Sequence, residues 1–194
     1  MTDQPVTDPS EQLPTKRQCG ECDLCCTAVG VYEIGKPPGV ACGKLAGVRG
    51  SSCSIYADRP SGCRQFFCLW RGSDSLLPER LWPARSGFVL SLTGIFGKQS
   101  TLITVHPNPS FPRSWRAPYH MDIFKMLARE FNAIVVIGEA HLAELIISPR
   151  GNLFRRDEHP DFFKDNGRMV GIPDSEFLPH RLSPDEIRLK LGWR

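Results

Sequence analysis

The chain predicts an α+β fold: a small antiparallel sheet with two or more helices, and a loop-rich, metal-stabilised cysteine lobe on its N-terminal side. Three observations predict it. From residue 81 onward, short β-branched and aromatic runs alternate with turn residues, the pattern of strands and hairpins. Two helical patterns sit among them, one amphipathic and one opened by a capping sequence. All eight cysteines fall at or before Cys68.

Residues 1–17 are polar, with Pro5, Pro9 and Pro14 and no periodicity, and read as a disordered tail. Residues 18–72 form the cysteine-rich lobe, punctuated by glycines and by Pro37-Pro38-Gly39. Cys25 to Ala28 starts a short helix, and Val29 to Ile34 is strand-like. Residues 73–194 form the α+β domain packed against the lobe. Within it, Gly87 to Ile95 and Thr101 to Val105 read as a hairpin turning at Gly97 and Lys98. Met121 to Phe131 is the best helix, with Ile123, Phe124, Leu127, Ala128 and Phe131 on one face. Pro118 lies near its start, where a missing N–H costs least. Ala133 to Ile137 and Ala143 to Ile147 are apolar strands joined by a turn at Gly138, and Leu153 to Arg155 adds a short one. Ser183-Pro184-Asp185-Glu186 is a capping box with Pro at the first helical position, opening a last helix that runs to about Leu191.

A length of 194 residues and a 41% apolar fraction suit one ordinary domain, or one domain with an appended lobe. The net charge of +3 gives no basic field of the kind that nucleic acid or an anionic membrane attracts. The first residues lack the apolar core of a secretory signal, and no apolar run approaches the roughly 20 residues that span a bilayer. The expectation is a cytoplasmic protein that engages neither nucleic acid nor membrane. Its protein partner or substrate and its oligomeric state are left open.

In the cytosol thiols stay reduced, which favours metal ligation over a disulfide framework. The dense run is Cys19-x-x-Cys22-x-x-Cys25-Cys26, followed by Cys42, Cys53, Cys63 and Cys68. Two intervening residues let the chain curl so that successive sulfurs face a common centre. The three-cysteine run is like that around an iron–sulfur cubane, whereas zinc ribbons more often use two separated Cys-x-x-Cys pairs. Cys25 and Cys26 are adjacent, so their side chains diverge and serve different metals, or one stands behind the other. Two four-cysteine sites and one cluster plus one zinc both remain open. The cofactor is therefore an iron–sulfur cluster or zinc, with a slight preference for the cluster.

The later cysteines lie in Cys53-x-Ile55-Tyr56-x-x-Arg59-Pro60-x-x-Cys63-Arg64, with Cys68 beyond. Over residues 19–68 the chain resembles the CxxCxxCC cysteine-cluster family, the YkgJ-like zinc- or iron-chelating proteins. That resemblance implies metal chelation and no particular reaction. Arg59 and Arg64 are candidates to contact the cofactor, because a guanidinium can offset thiolate charge or donate to sulfur. A surface ion pair is the alternative. Tyr56, Phe66, Phe67 and Trp70 either shield the site from water or simply fill the core, and the core reading is preferred.

Other motifs are weak. His106, His120, His141, His159 and His180 form no close pair at ligand spacing. No Ser/His/Asp signature, Walker loop or dinucleotide fingerprint is present. Arg113, Trp115 and Arg116 in a Pro-rich loop, and the stretch from Arg150 to Arg168 with its interspersed acids, read as solvated surface. The function expected is that of a metal-binding protein, with redox or metal-dependent chemistry as one form of it. A structural zinc module in a protein-interaction protein is the alternative.

Overall fold

The computed structural model of the chain describes residues 17–45, 53–93, 101–139, 142–163, 172–180 and 182–192. The tail before Arg17, the hairpin turn at Gly97 and Lys98, His141, and Lys164 with Arg168 lie outside the described residues.

Five strands make one sheet in the order β1-β2-β3-β4-β5: Phe88–Thr93, Leu102–Pro107, Ile134–Ile137, Leu145–Ile147 and Leu153–Arg155. β1 and β2 pair antiparallel from Phe88 opposite Pro107 to Thr93 opposite Leu102. β3, β4 and β5 also pair antiparallel in sequence order. The α+β reading is thus borne out, with one difference: β2 and β3 are parallel, with Leu102 opposite Ile134 and Val105 opposite Ile137. The helix between them is the reason. Helix α4, Pro118–Glu130, carries the chain back to the end of the sheet where β2 began, as a crossover must.

Strand alternation gives the sheet two apolar faces. On one, Ile103, Val105, Val135 and Ile137 meet Phe124 and Leu127 of α4 in the main core. On the other, Val136 and Ile146 meet Ala143 and Phe163 under β3 and β4. The part of that second face belonging to β1 is covered differently. Helix α1, Leu24–Ala28, lies on it, with Leu24 and Ala28 buried against Val89. The cysteine lobe is therefore a lid over half of one sheet face, and its borders are blurred. Leu69 and Trp70 of the cysteine segment belong to the main core, beside Leu77 and Leu81. Arg17, expected to end the free tail, is held: its guanidinium donates to the carbonyls of Trp70 at 3.0 Å and Leu77 at 2.6 Å.

The expected strand from Val29 to Ile34 is not formed. Val31 and Lys36 exchange both backbone hydrogen bonds, at 2.8 and 3.0 Å, and so close a tight loop on themselves. The loop reverses through Gly35 at φ 63°, a left-handed value that favours glycine. The last helix, α5 at Pro184–Lys190, has its capping box: Glu186 N–H donates to Ser183 Oγ, and Ser183 N–H donates to the Glu186 carboxylate. Two further short helices, α2 (Ser61–Gln65) and α3 (Pro83–Ser86), complete the set used below. Among the described residues no helix is long and apolar enough to cross a membrane.

Candidate metal centre

The cysteines are placed by short, hydrogen-bonded turns. Cys22 N–H donates to the Cys19 carbonyl at 3.0 Å, which curls the first run. Helix α1 then carries Cys25 and Cys26 on consecutive positions, which diverge by ~100° around a helix. Cys22, Cys25, Cys68 and Phe66 pack around the Leu24–Ala28–Val89 cluster. Cys68 is fixed to the outer edge of β1, bridging Ser91, while Leu69 N–H donates to the Leu90 carbonyl at 2.8 Å.

The next cysteines are tied to α1 through backbone contacts. Cys42 N–H donates to the Cys26 carbonyl at 3.0 Å. Leu45 N–H turns back to the Cys42 carbonyl at 3.1 Å and Leu45 itself bridges Cys53. Cys63 rides on α2. That helix is stapled to the Val31–Lys36 loop by Glu33, which accepts from Ser61 Oγ and Gly62 N–H, each at 2.6 Å. All eight cysteines are free thiols; Cys19 is exposed and the other seven are half-buried.

Their electrostatics differ sharply. Burial pushes the Cys68 thiol up to about 12, and Cys19 and Cys22 add to the rise. Burial likewise raises Cys22. Cys25 is held well above the usual thiol range, first because it donates its proton toward Cys26 and then by burial. Cys26 is lowered to about 7 by that same bond from Cys25, with Lys36 and Arg59 also favouring its thiolate. Burial raises Cys63, whose further pushes come from Cys26, Cys42 and Cys53.

Lys36 is the group that sequence reasoning missed in the lobe. It is 7% exposed, a rare state for a lysine. Its ammonium donates to the Val29 carbonyl, with Thr27 and Pro37 carbonyls at 3.4 Å. Burial lowers its pKa, and Cys42, Glu139, Cys26 and Cys25 oppose that by supporting its charge. Nothing in a lone lysine between Gly35 and Pro37 announces this; only the closed loop turns it inward.

A second missed feature is the polar row under the lobe. His106 Nε2 lies 2.7 Å from Ser91 Oγ, and His106 Nδ1 lies 3.0 Å from Glu139 Oε2. A neutral ring that accepts from Ser91 carries its proton on Nδ1, facing the carboxylate. That N–H is not aligned on the oxygen, so the contact works more through charge than as a straight hydrogen bond. Glu139 also accepts from Gly30 N–H at 3.1 Å. Burial alone would raise its carboxyl. His106, the Gly30 N–H and Lys36 outweigh burial and hold it below the ordinary carboxylate range. The order serine–imidazole–carboxylate matches a hydrolase triad. Ser91 and His106, however, are each only 5% exposed beneath the lobe, so the hydroxyl has no substrate side. The row is a bolt between sheet and lobe.

The two candidate arginines part company. Arg59 stacks over the Tyr56 ring at 3.8 Å and its charge favours the thiolates of Cys26 and Cys63. Arg64 donates to the carbonyls of Arg59 at 2.8 Å and Ala57 at 3.2 Å, and so clamps the loop that presents Arg59. The aromatics also divide. Trp70 and Phe67 are core, Phe66 borders the thiols, and Tyr56 is 63% exposed. Trp115 is buried under a stacked Arg116, which pairs with Glu144 at 3.3 Å.

The donor chemistry fits a soft metal or cluster: free sulfur ligands, one of them acidified, with Lys36 and Arg59 as counter-charges. The polyhedron is not drawn closed. Among the described residues no group of three His, Cys, Asp or Glu stands ready to hold an ion. A tetrahedral zinc with bonds of about 2.3 Å needs sulfurs about 3.8 Å apart, so the thiols would have to move inward to hold one. Compared with protein families, curated proteins and solved structures, the chain has no match.

Proposed function

We propose that this is a cytoplasmic metal-binding protein whose N-terminal lobe chelates an iron–sulfur cluster, zinc or both through its cysteines. One observation carries the reading: a buried ammonium, Lys36, stands among free thiols and supports their charge. Burying a lysine costs desolvation that hydrogen bonds and negative charge must offset. The Thr27, Val29 and Pro37 carbonyls and Glu139 supply part of that here, and metal-bound thiolates would supply more. Cys19, Cys22, Cys25, Cys26, Cys42, Cys53, Cys63 and Cys68 are the ligands of this reading. Arg59 answers the thiolate charge from the rim, and Arg64 positions Arg59. When bound, a cluster would supply electron transfer or oxidant sensing, and zinc would supply lobe stability. The protein's own part is to gather the thiols, exclude water with Phe66 and Val89, and hold the lobe on the sheet.

The test is metal and acid-labile sulfide content of anaerobically purified protein, with its visible spectrum. Iron with sulfide, or stoichiometric zinc, is the expected result; protein that stays metal-free when reconstituted with either would refute the proposal. Colourless protein with zinc alone would select the second reading, a structural zinc module in a protein-interaction protein.

A further inference from the structure

We propose that the face built from α3, the proline-rich loop before α4 and the first turn of α4 binds single-stranded nucleic acid, with Arg85 and Arg113 on phosphates and Phe111 stacked against a base. The inference goes beyond the metal-binding reading and does not rest on it.

Charge is the first observation. The net charge of +3 is small, but it is not spread evenly. Residues 79–88 and 108–120 hold Arg80, Arg85, Arg113 and Arg116 against one acid, Glu79. That excess equals the net charge of the whole chain. Glu79 is turned to Arg17, at 3.4 Å. Glu144 reaches in to Arg116 at 3.3 Å. No acid lies in the first turn of α4, and Asp122 comes only after it. Arg85 and Arg113 are exposed, and among the described residues no carboxylate pairs with either. A local concentration of unneutralised positive charge attracts an anion.

The fold brings the two segments together. The Gly87 carbonyl, just past α3, accepts from Asn108 N–H at 2.8 Å and from Ser114 Oγ at 2.7 Å. Both ends of the loop are thereby pinned to the end of α3. The approach is close: a Cβ on Gly87 would stand 2.8 Å from Ser114 Cβ and 4.0 Å from Phe111 Cβ. Ser110 N–H donates to Asn108 Oδ1, and Phe111 N–H to the Asn108 carbonyl, each at 2.9 Å. The turn that presents Phe111 is therefore ordered before any ligand arrives, which spares that cost on binding. On the other side of the loop, His120 Nδ1 lies 2.9 Å from the Ser114 carbonyl and ties in the first turn of α4.

Aromatic rings are the second observation. Phe111 is 64% exposed. The Arg80 guanidinium lies over the Tyr119 ring at 3.6 Å, and that of Arg116 over the Trp115 ring at 4.9 Å. A guanidinium lying over a ring can donate from its edge to phosphate while its outer face stacks on a base. Alternating cations and ring faces are what a single strand meets with its alternating phosphates and bases. An acidic peptide would use the charges and leave Phe111 uncovered. A duplex keeps its base faces inside its own stack and offers none to Phe111.

The experiment uses the full-length chain and a fluorescein-labelled oligouridylate of about twelve nucleotides, a length within the span of single-strand sites. Anisotropy is followed at increasing sodium chloride. Saturable binding is expected, with log affinity falling against log salt at a slope of about −2 to −3, for three to four phosphate contacts at about 0.7 each. Arg85→Gln with Arg113→Gln should make that slope shallower by about 1.4 and weaken binding at low salt by about tenfold or more. Phe111→Ala should weaken binding by about tenfold and leave the slope unchanged, because stacking releases no counterion. All three side chains are exposed, so urea midpoints should match wild type; Arg113→Gln alone repeats the slope test if the double variant is destabilised. A double-stranded RNA of the same length and an oligoglutamate should each bind at least about tenfold more weakly, since neither offers a base face to Phe111. No binding of the oligouridylate at low salt, unchanged binding in the variants, or equal affinity for the duplex or oligoglutamate would overturn the proposal. So would a loss confined to the arginine variants, which would leave Phe111 without a role. Metal content should be the same in every variant, so this proposal and the metal-binding reading fail in separate assays.

Discussion

The bolt between sheet and lobe carries the most direct consequence for stability, and Glu139→Gln isolates it. Glutamine keeps the size and one acceptor oxygen for Gly30 N–H, now 3.1 Å from the carboxylate. It removes the charge that faces His106 at 3.0 Å and supports Lys36. A hydrogen bond to a charged acceptor is worth about 1 kcal/mol more than one to a neutral acceptor. Loss of the charge contacts to His106 and Lys36 adds roughly another 1 kcal/mol for a carboxylate 20% exposed. The expected cost at pH 7 is therefore about 2 kcal/mol, or a fall in Tm of about 4–8 °C for a chain of this size. The sign with pH follows from the direction of the shift. Glu139 titrates lower folded than unfolded, so its contribution is complete above the unfolded carboxyl range and disappears as pH falls through the folded value. The gap between wild type and variant should be widest near pH 7 and close on acidification. Urea unfolding at several pH values measures it. Equal stability at pH 7, or a gap that does not change with pH, would refute the reasoning. Gly30→Ala perturbs the same joint sterically, since an added Cβ would stand 2.9 Å from Glu139 Oε1 and 3.2 Å from Pro38.

Three further predictions follow from the same geometry. In metal-free protein near pH 7, Cys26 should alkylate fastest and Cys68 among the slowest, because one titrates at about 7 and the other at about 12; Lys36→Met should slow Cys26, and time-resolved peptide mass spectrometry reads both. Gly72→Ala should cost about 2–4 kcal/mol in urea unfolding, because its Cβ would fall 1.7 Å from Phe67 Cζ and drive that ring from the core. Metal removal should lower hydrogen-exchange protection at the Cys22 and Cys42 amides while leaving β2 and β3 protected, since only the lobe depends on the thiols; uniform loss across the sheet would contradict this.

Local patterns made much of the sheet domain legible. The apolar face from Ile123 to Phe131 predicted α4, and Ser183 with Glu186 predicted the cap of α5, because both signals are contained in one or two turns of chain. The parallel pairing of β2 and β3 was not legible, since strand composition carries no direction. The strand expected at Val29–Ile34 failed because Gly35 allowed the chain to reverse on itself, which propensity over a short window does not weigh. In the site, the cysteines were plain from spacing, and Arg59 from its place beside Cys63. Lys36, Ser91, His106 and Glu139 were not, because they meet only through the strand register and the closure of a loop.

The position of Lys36 has a consequence for how the lobe stays seated. Its charge is supported both by thiols, Cys42, Cys26 and Cys25, and by Glu139. Four thiolates around one divalent ion would leave net negative charge, and under the proposed metal-binding function that charge would strengthen the first attraction. Glu139 is pulled by Lys36 and His106 from one side and fixed by Gly30 from the other. The same cation thus serves the thiol side and the bolt, and neutralising it removes a favourable contact from each. Because those contacts share one partner, their energies should not add. Lys36→Met and Glu139→Gln combined should destabilise the loaded protein by less than the sum of the two single effects, with a coupling of about 0.5–1 kcal/mol in a double-mutant cycle by urea unfolding. Strict additivity would mean that the thiols and the bolt are served by different groups, and Lys36 would lose its place as the link between them.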